Sequence, residues 1–235
     1  MARLTQPMEQ GRSNRVLQFV AHGNPVIRMA MKQGWRPAAR YTNLRDVRGV
    51  QFASVGFLDI PWKRYRFDVH VDAVRRTRPF MTVARDVEVA RDLEDILIEA
   101  EQLHAYCDYV VVVPKDRKLG PELERLIPPH LILGYSVPTR YGSTPIPIKY
   151  FTRAVHLLGG RPDVQRKLAV SMPVVSVDCN RFTLDARYGD FFDGERFRPH
   201  PRGGYVSCLR ESIRNIGKLW RDYNACSLPS RRKVA

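Results

Sequence analysis

The chain has 235 residues, 44% of them hydrophobic, which is enough to bury a full core and argues against global disorder. It carries 39 Lys and Arg against 24 Asp and Glu, a formal charge of +15, which favours a polyanionic partner, DNA or RNA, over a membrane surface. No apolar run is long enough to cross a bilayer and no signal peptide is evident, so the expectation is a cytoplasmic protein whose four cysteines are reduced thiols; none has zinc-finger spacing, and no metal or cofactor is expected.

Residues 1–14 are polar and read as a flexible N-terminus. Short apolar runs then recur: RVLQFVAHG (15–23), GVQFASVGFLDI (49–60), PFMTVA (79–84), YVVVVP (109–114), LILGYSVP (131–138), AVHLLGG (154–160) and PVVSVD (173–178). Several are continuously apolar, as strands covered on both faces are. Between them, 88–104 places Val89, Leu93, Ile96, Leu97, Ala100 and Leu103 at helical spacing. Shorter helices are expected over 120–126 and 162–172, and a last one over 205–223 with a stripe of Leu209, Ile213, Ile216, Leu219 and Trp220. Strand and helix alternate as in a parallel sheet. Seven strands plus one that the pattern does not locate would close a compact (β/α)8 TIM-like barrel over 15–224, followed by a basic flexible tail at 225–235. An open doubly wound sheet is the other architecture, but no GxGxxG follows the first strand.

Three acids close strands: Asp59 after SVGFL, Asp86 after PFMTVAR and Asp178 after PVVSV. In a parallel sheet all three emerge at one face, where carboxylates can act as nucleophile and general acid or base. Each can equally cap the helix that follows. Gly159-Gly160 sits between a strand and a helix, where it either opens helix N–H groups to an anion or makes a tight turn. Gly134 in the Gly134-Tyr135-Ser136 segment either admits a flat ring near the backbone or relieves packing, and His156 reads as a core histidine.

The segment HLLGG (156–160), the helix at 162–172 and VVSVDC (174–179) together resemble the tRNA-guanine transglycosylase superfamily in order and spacing. The resemblance covers roughly residues 50–220 and implies a (β/α)8 barrel that exchanges guanine for a 7-deazaguanine base. It makes Asp178 the nucleophile, Asp86 the base-recognition acid and Asp59 the candidate general acid or base, with Gly134, Tyr135, Gly159 and Gly160 lining the base site. The family's DSGGFQ motif is replaced by LDIPWK, and its C-terminal zinc site has no counterpart here. These departures resemble the phage-type DNA 7-deazaguanine transglycosylase branch, with a free 7-deazaguanine base (7-cyano or 7-aminomethyl) as second substrate. A DNA glycosylase or nucleoside hydrolase on the same barrel, or a non-catalytic nucleic-acid-binding protein, are the alternatives. Cations interleaved with aromatics, Lys63, Arg64 and Arg66, then Arg75 and Arg76, then Arg196, Arg198 and Arg202, are expected to hold phosphates while rings stack on bases; the plain alternative is an idle solvated surface.

Overall fold

The computed structural model describes residues 15–140 and 142–230. The chain begins with β1 (Leu17–Ala21), α1 (Asn24–Met31), β2 (Arg36–Arg40) and β3 (Phe57–Asp59). It continues with α2 (Phe67–Thr77), β4 (Met81–Val83), α3 (Leu93–His104), β5 (Tyr109–Val112), α4 (Leu123–Leu126) and β6 (Ile132–Ser136). The last part holds β7 (Val155–Leu158), α5 (Pro162–Leu168), β8 (Val174–Asp178), α6 (Arg181–Ala186), β9 (Asp190–Phe192), β10 (Phe197–Pro199) and α7 (Tyr205–Leu219). Strands β1 to β8 are parallel and closed in sequence order, β8 pairing back onto β1. This is the (β/α)8 barrel, kept compact because 3-10 turns at Tyr41–Val47 and Ile148–Tyr150 stand where helices would follow β2 and β6.

The strand that the apolar pattern does not locate is β2, RPAAR. It holds cations at both ends, two alanines and a proline, so neither alternation nor an apolar run marks it. Pro37 is tolerated because pairing with β3 begins only at Ala38. Of the 49–60 run only Phe57–Asp59 is strand. The helices α1 and α2 also escape the pattern. α1 is short, with Pro25 in its first turn and only Val26, Ile27 and Ala30 buried; α2 carries β-branched valines that weaken a helical reading. The expected 162–172 helix ends at Leu168, and the 205–223 helix at Leu219.

Side chains alternate along each strand, so residues two positions before a mouth-facing residue fill the barrel below it. Phe19, Phe57, Met81, His156 and Ser176 form this layer: the Phe19 and Phe57 rings lie 5.4 Å apart and those of Phe57 and His156 4.9 Å. All five are essentially solvent-free, so the barrel is a packed core with a dry floor beneath its C-terminal mouth. Among the described residues no helix is long and apolar enough to cross a membrane, and the four cysteines are free thiols. The expected flexible N-terminus (1–14) and the end of the basic tail (231–235) lie outside the described residues.

Candidate active site

At the C-terminal ends of the strands lies a cavity of about 330 Å³. Asp59 from β3, Asp86 just past β4 and Asp178 from β8 all line it, together with Gly159 and Gly160 past β7. Nothing in a linear sequence requires three acids so far apart to meet; the parallel closure of the barrel brings them there.

Asp178 is held on several sides. Its Oδ1 accepts a hydrogen bond from the Gly159 N–H at 2.8 Å. Gln165 of α5, fully buried, donates from Nε2 to the carbonyls of both Gly159 and Asp178 at 2.7 Å, clamping the ends of β7 and β8 together. From below, the His156 Nε2 lies 3.5 Å from Asp178 Oδ1, while its Nδ1 bonds to Ser176 Oγ at 2.8 Å. His156 is therefore buried in the core, as its strand context suggests, yet it also forms the floor under Asp178. Asn180 accepts from the Ala21 N–H at 2.9 Å and so closes the β8–β1 seam at the cavity wall.

Asp59 has a different environment. Burial and then the nearby charge of Asp178 raise its pKa from 3.8 to about 7; the Ile60 N–H and the Arg40 guanidinium, 3.6 Å away, oppose this only in part. The negative charge of Asp178 across the cavity thus adds to burial in holding the proton on Asp59. A group half-protonated near neutrality is suited to giving and taking protons.

Asp86 also has a raised pKa, because burial outweighs its ion pair with Lys115, whose Nζ lies 2.5 Å from Oδ2. Lys115 reaches Glu88 as well, at 3.3 Å. Burial opposes the Lys115 charge, but the two carboxylates win, so its pKa lies above the ordinary lysine value. It is a fixed cation, not a free amine. The backbone sets this pairing: the Lys115 N–H donates to the Val87 carbonyl, an extension of the β4–β5 ladder beyond both strands.

Gly159 and Gly160 take positive φ of +61° and +82°. Gly160 packs against Val137 so closely that an added Cβ would lie 2.3 Å from its Cγ1. The N–H that Gly159 might offer an external anion is given to Asp178 instead. Gly134 and Tyr135 do not line the cavity, a correction to the expected base contact. They lie at the centre of β6, where Gly134 pairs with His156 and Tyr135 with Leu157. A Cβ on Gly134 would lie 2.6 Å from Val113 and 2.8 Å from Val111, so this glycine relieves packing; the Tyr135 ring faces away and packs edge-on against Phe151. Ser136, one residue further on, is what reaches the cavity.

The cations expected to hold phosphates lie outside the cavity, and several are neutralised locally. Arg66 pairs with Asp68 at 2.5 Å, Arg75 and Arg76 share Asp72, and Arg198 pairs with Asp193 at 2.9 Å. Lys63 sits over the ring of Trp62, which lines the cavity rim and is 58% exposed. Arg64, Arg196 and Arg202 are exposed. The residues that sequence reasoning missed are Lys115, Gln165, Asn180 and Arg40; only Lys115 and Asn180, a few residues past the YVVVVP and PVVSVD runs, carry a positional signal.

A closed barrel of eight parallel strands defines the TIM-barrel class, in which strand ends and the loops after them carry the ligand site, and here three half-buried acids gather at that mouth. Residues 30–221 match the family of unknown function DUF6610, and the chain belongs to that family. No curated relative matches it. Among solved structures it is similar to the YdjI aldolase from Escherichia coli K12, with a TM-score of 0.52 and 10% identity over 88% of this chain and 92% of that one. At that identity the likeness shows the barrel fold alone.

Proposed function

We propose that the chain is an enzyme that exchanges guanine in DNA for a 7-deazaguanine base through a covalent Asp178 intermediate. The observation that carries the reading is the pairing of two unlike carboxyl groups in one cavity: Asp178, fixed by the Gly159 N–H, and Asp59, whose proton is retained to about pH 7. Environments that separate two acids in this way suit a nucleophile and a proton carrier.

In the proposed reaction an Asp178 oxygen forms a bond to C1′ of the deoxyribose as the bond from C1′ to guanine N9 breaks. Asp59 gives its proton to the departing purine, which leaves neutral. The incoming 7-deazaguanine then attacks C1′ through N9, returns a proton to Asp59, and displaces the Asp178 carboxylate. Charge developing at C1′ is stabilised by the adjacent carboxylate in a site poor in water. Asp86 and Lys115 place an acceptor beside a donor, matching a guanine edge that offers N1–H and N2–H next to O6. The target base must be extruded from a duplex or be single-stranded to reach such a cavity.

Mass spectrometry of nucleosides from DNA of cells expressing the chain with a 7-deazaguanine supply tests this. A modified deoxynucleoside that disappears with Asp178→Ala supports the proposal. Abasic sites without base incorporation would instead support hydrolysis on the same barrel, and modification confined to RNA would overturn the choice of DNA.

A further inference from the structure

A further group of cations, most of them without a carboxylate partner, lies on another side of the molecule. α7 carries Arg210, Arg214 and Lys218 four residues apart, and Arg221 follows just past its end; all four are exposed. This spacing puts them on one helix face, about 16 Å long at 1.5 Å per residue, where like charges repel and weaken the helix. Of the four, Arg214 alone has an acid within ion-pair reach among the described residues, Glu211 at 3.8 Å.

Two adjoining cavities run beside this face. One, about 400 Å³, lies between α1 and α7 and is lined by Arg28, Lys32 and Arg210. The other, about 380 Å³, lies at the N-terminal ends of β1 and β2 and is lined by Arg15, Arg36, Arg214, Lys218 and Arg221. Gln33 lines both, so they form one furrow. No Asp or Glu lines either cavity among the described residues. The lower cavity is also lined by Trp220, 2% exposed, whose indole N–H has no protein partner, and the Arg36 Nη1 is likewise unpartnered. Positive charge converges here, although Arg28 already donates to Asn24 Oδ1 and the Gly49 carbonyl and the Arg36 guanidinium lies over the Phe80 ring.

We infer that this furrow between α1 and α7 binds the phosphodiester backbone of a nucleic-acid strand. The inference rests on nucleic acid being the partner, as proposed above, but not on the base-exchange chemistry. A row of cations at one-turn intervals, interrupted by the single acid Glu211, fits a linear polyanion. Charge repulsion along α7 would be relieved by phosphates, which gives the arrangement a use that folding alone does not.

The test is fluorescence anisotropy of a fluorescein-labelled DNA duplex titrated with the full chain over a KCl series. The variant R214Q/K218Q/R221Q is expected to bind at least about tenfold more weakly at low salt and to lower the log–log salt slope by about 2.7, since each lost phosphate contact removes roughly 0.9. Its melting temperature should rise, because the repelling charges are gone; a damaged fold would move it the other way. If the triple variant fails to fold, R221Q alone, beyond the end of α7, should lower the slope by about 1. A control, R66Q/R75Q/R76Q, removes cations already paired with acids and should change the slope little. Unchanged binding in the furrow variants, with loss in the control, would overturn the inference. Furrow-dependent binding without base exchange would leave the inference standing and refute the proposed reaction; exchange without furrow-dependent binding would do the reverse.

Discussion

The mouth of the barrel and the furrow beside α7 use charge in opposite ways. In the mouth, three acids and the cations Arg40 and Lys115 are crowded into one partly buried cavity, where burial raises the pKa of Asp59 and Asp86 and the neighbouring carboxylates raise that of Lys115. In the furrow, cations stand in solvent with few partners. Charges in a dry site act at short range and resist screening by salt, whereas exposed charges act over a Debye length and are screened. A protein with a net charge of +15 can thus hold an acidic mouth while many of its cations stand on another face. The difference predicts that added salt weakens nucleic-acid binding steeply while leaving the chemistry at the mouth nearly unchanged.

The largest expected effect separates the two regions outright. Asp178→Ala should lower base exchange by at least about 10³-fold, measured as incorporation of radiolabelled guanine into DNA, with binding through the furrow retained.

Asp59→Asn should lower exchange by roughly 10²-fold and remove a fall in rate above pH 7 that the native protein should show. The same substitution sharpens the account through stability. The unfolded chain releases this proton near 3.8 and the folded one near 7. Between those values the folded state binds more protons, so stability falls as pH rises across that window. Chemical denaturation at pH 8 should find Asp59→Asn more stable than the native protein, and the gain should vanish near pH 4.

A smaller effect concerns the scaffold of the mouth. Gly160→Ala introduces a side chain at a φ of +82°, with its Cβ 2.3 Å from Val137. Thermal melting should show a loss of about 1–3 kcal/mol, with a weaker grip on Asp178 through the neighbouring Gly159.

The strands were legible where covering on both faces leaves a continuous apolar run, as in YVVVVP and PVVSVD. The strand-end acids were legible for the same reason, since a carboxylate stands out after such a run. β2 was not, because RPAAR packs through two alanines whose small side chains leave no hydrophobic signal. Gly134 within LILGYSVP suits either a ring near the backbone or close packing; only the neighbouring strands show that Val111 and Val113 fill the space a side chain would need. Arg75 and Arg76 looked free because their partner Asp72 becomes a neighbour only when α2 is known to be helical. Lys115 and Gln165 act through contacts with other strands' loops, and no local pattern encodes those. The furrow was invisible for the same reason, since its cations come from α1, β2 and α7.

The covalent step is the claim on which the rest depends. Reaction of the chain with a guanine-containing oligonucleotide, quenched in denaturant and followed by peptide mapping, should yield a DNA adduct on the peptide that contains Asp178. An adduct on another residue, or full exchange by Asp178→Ala, would contradict the account.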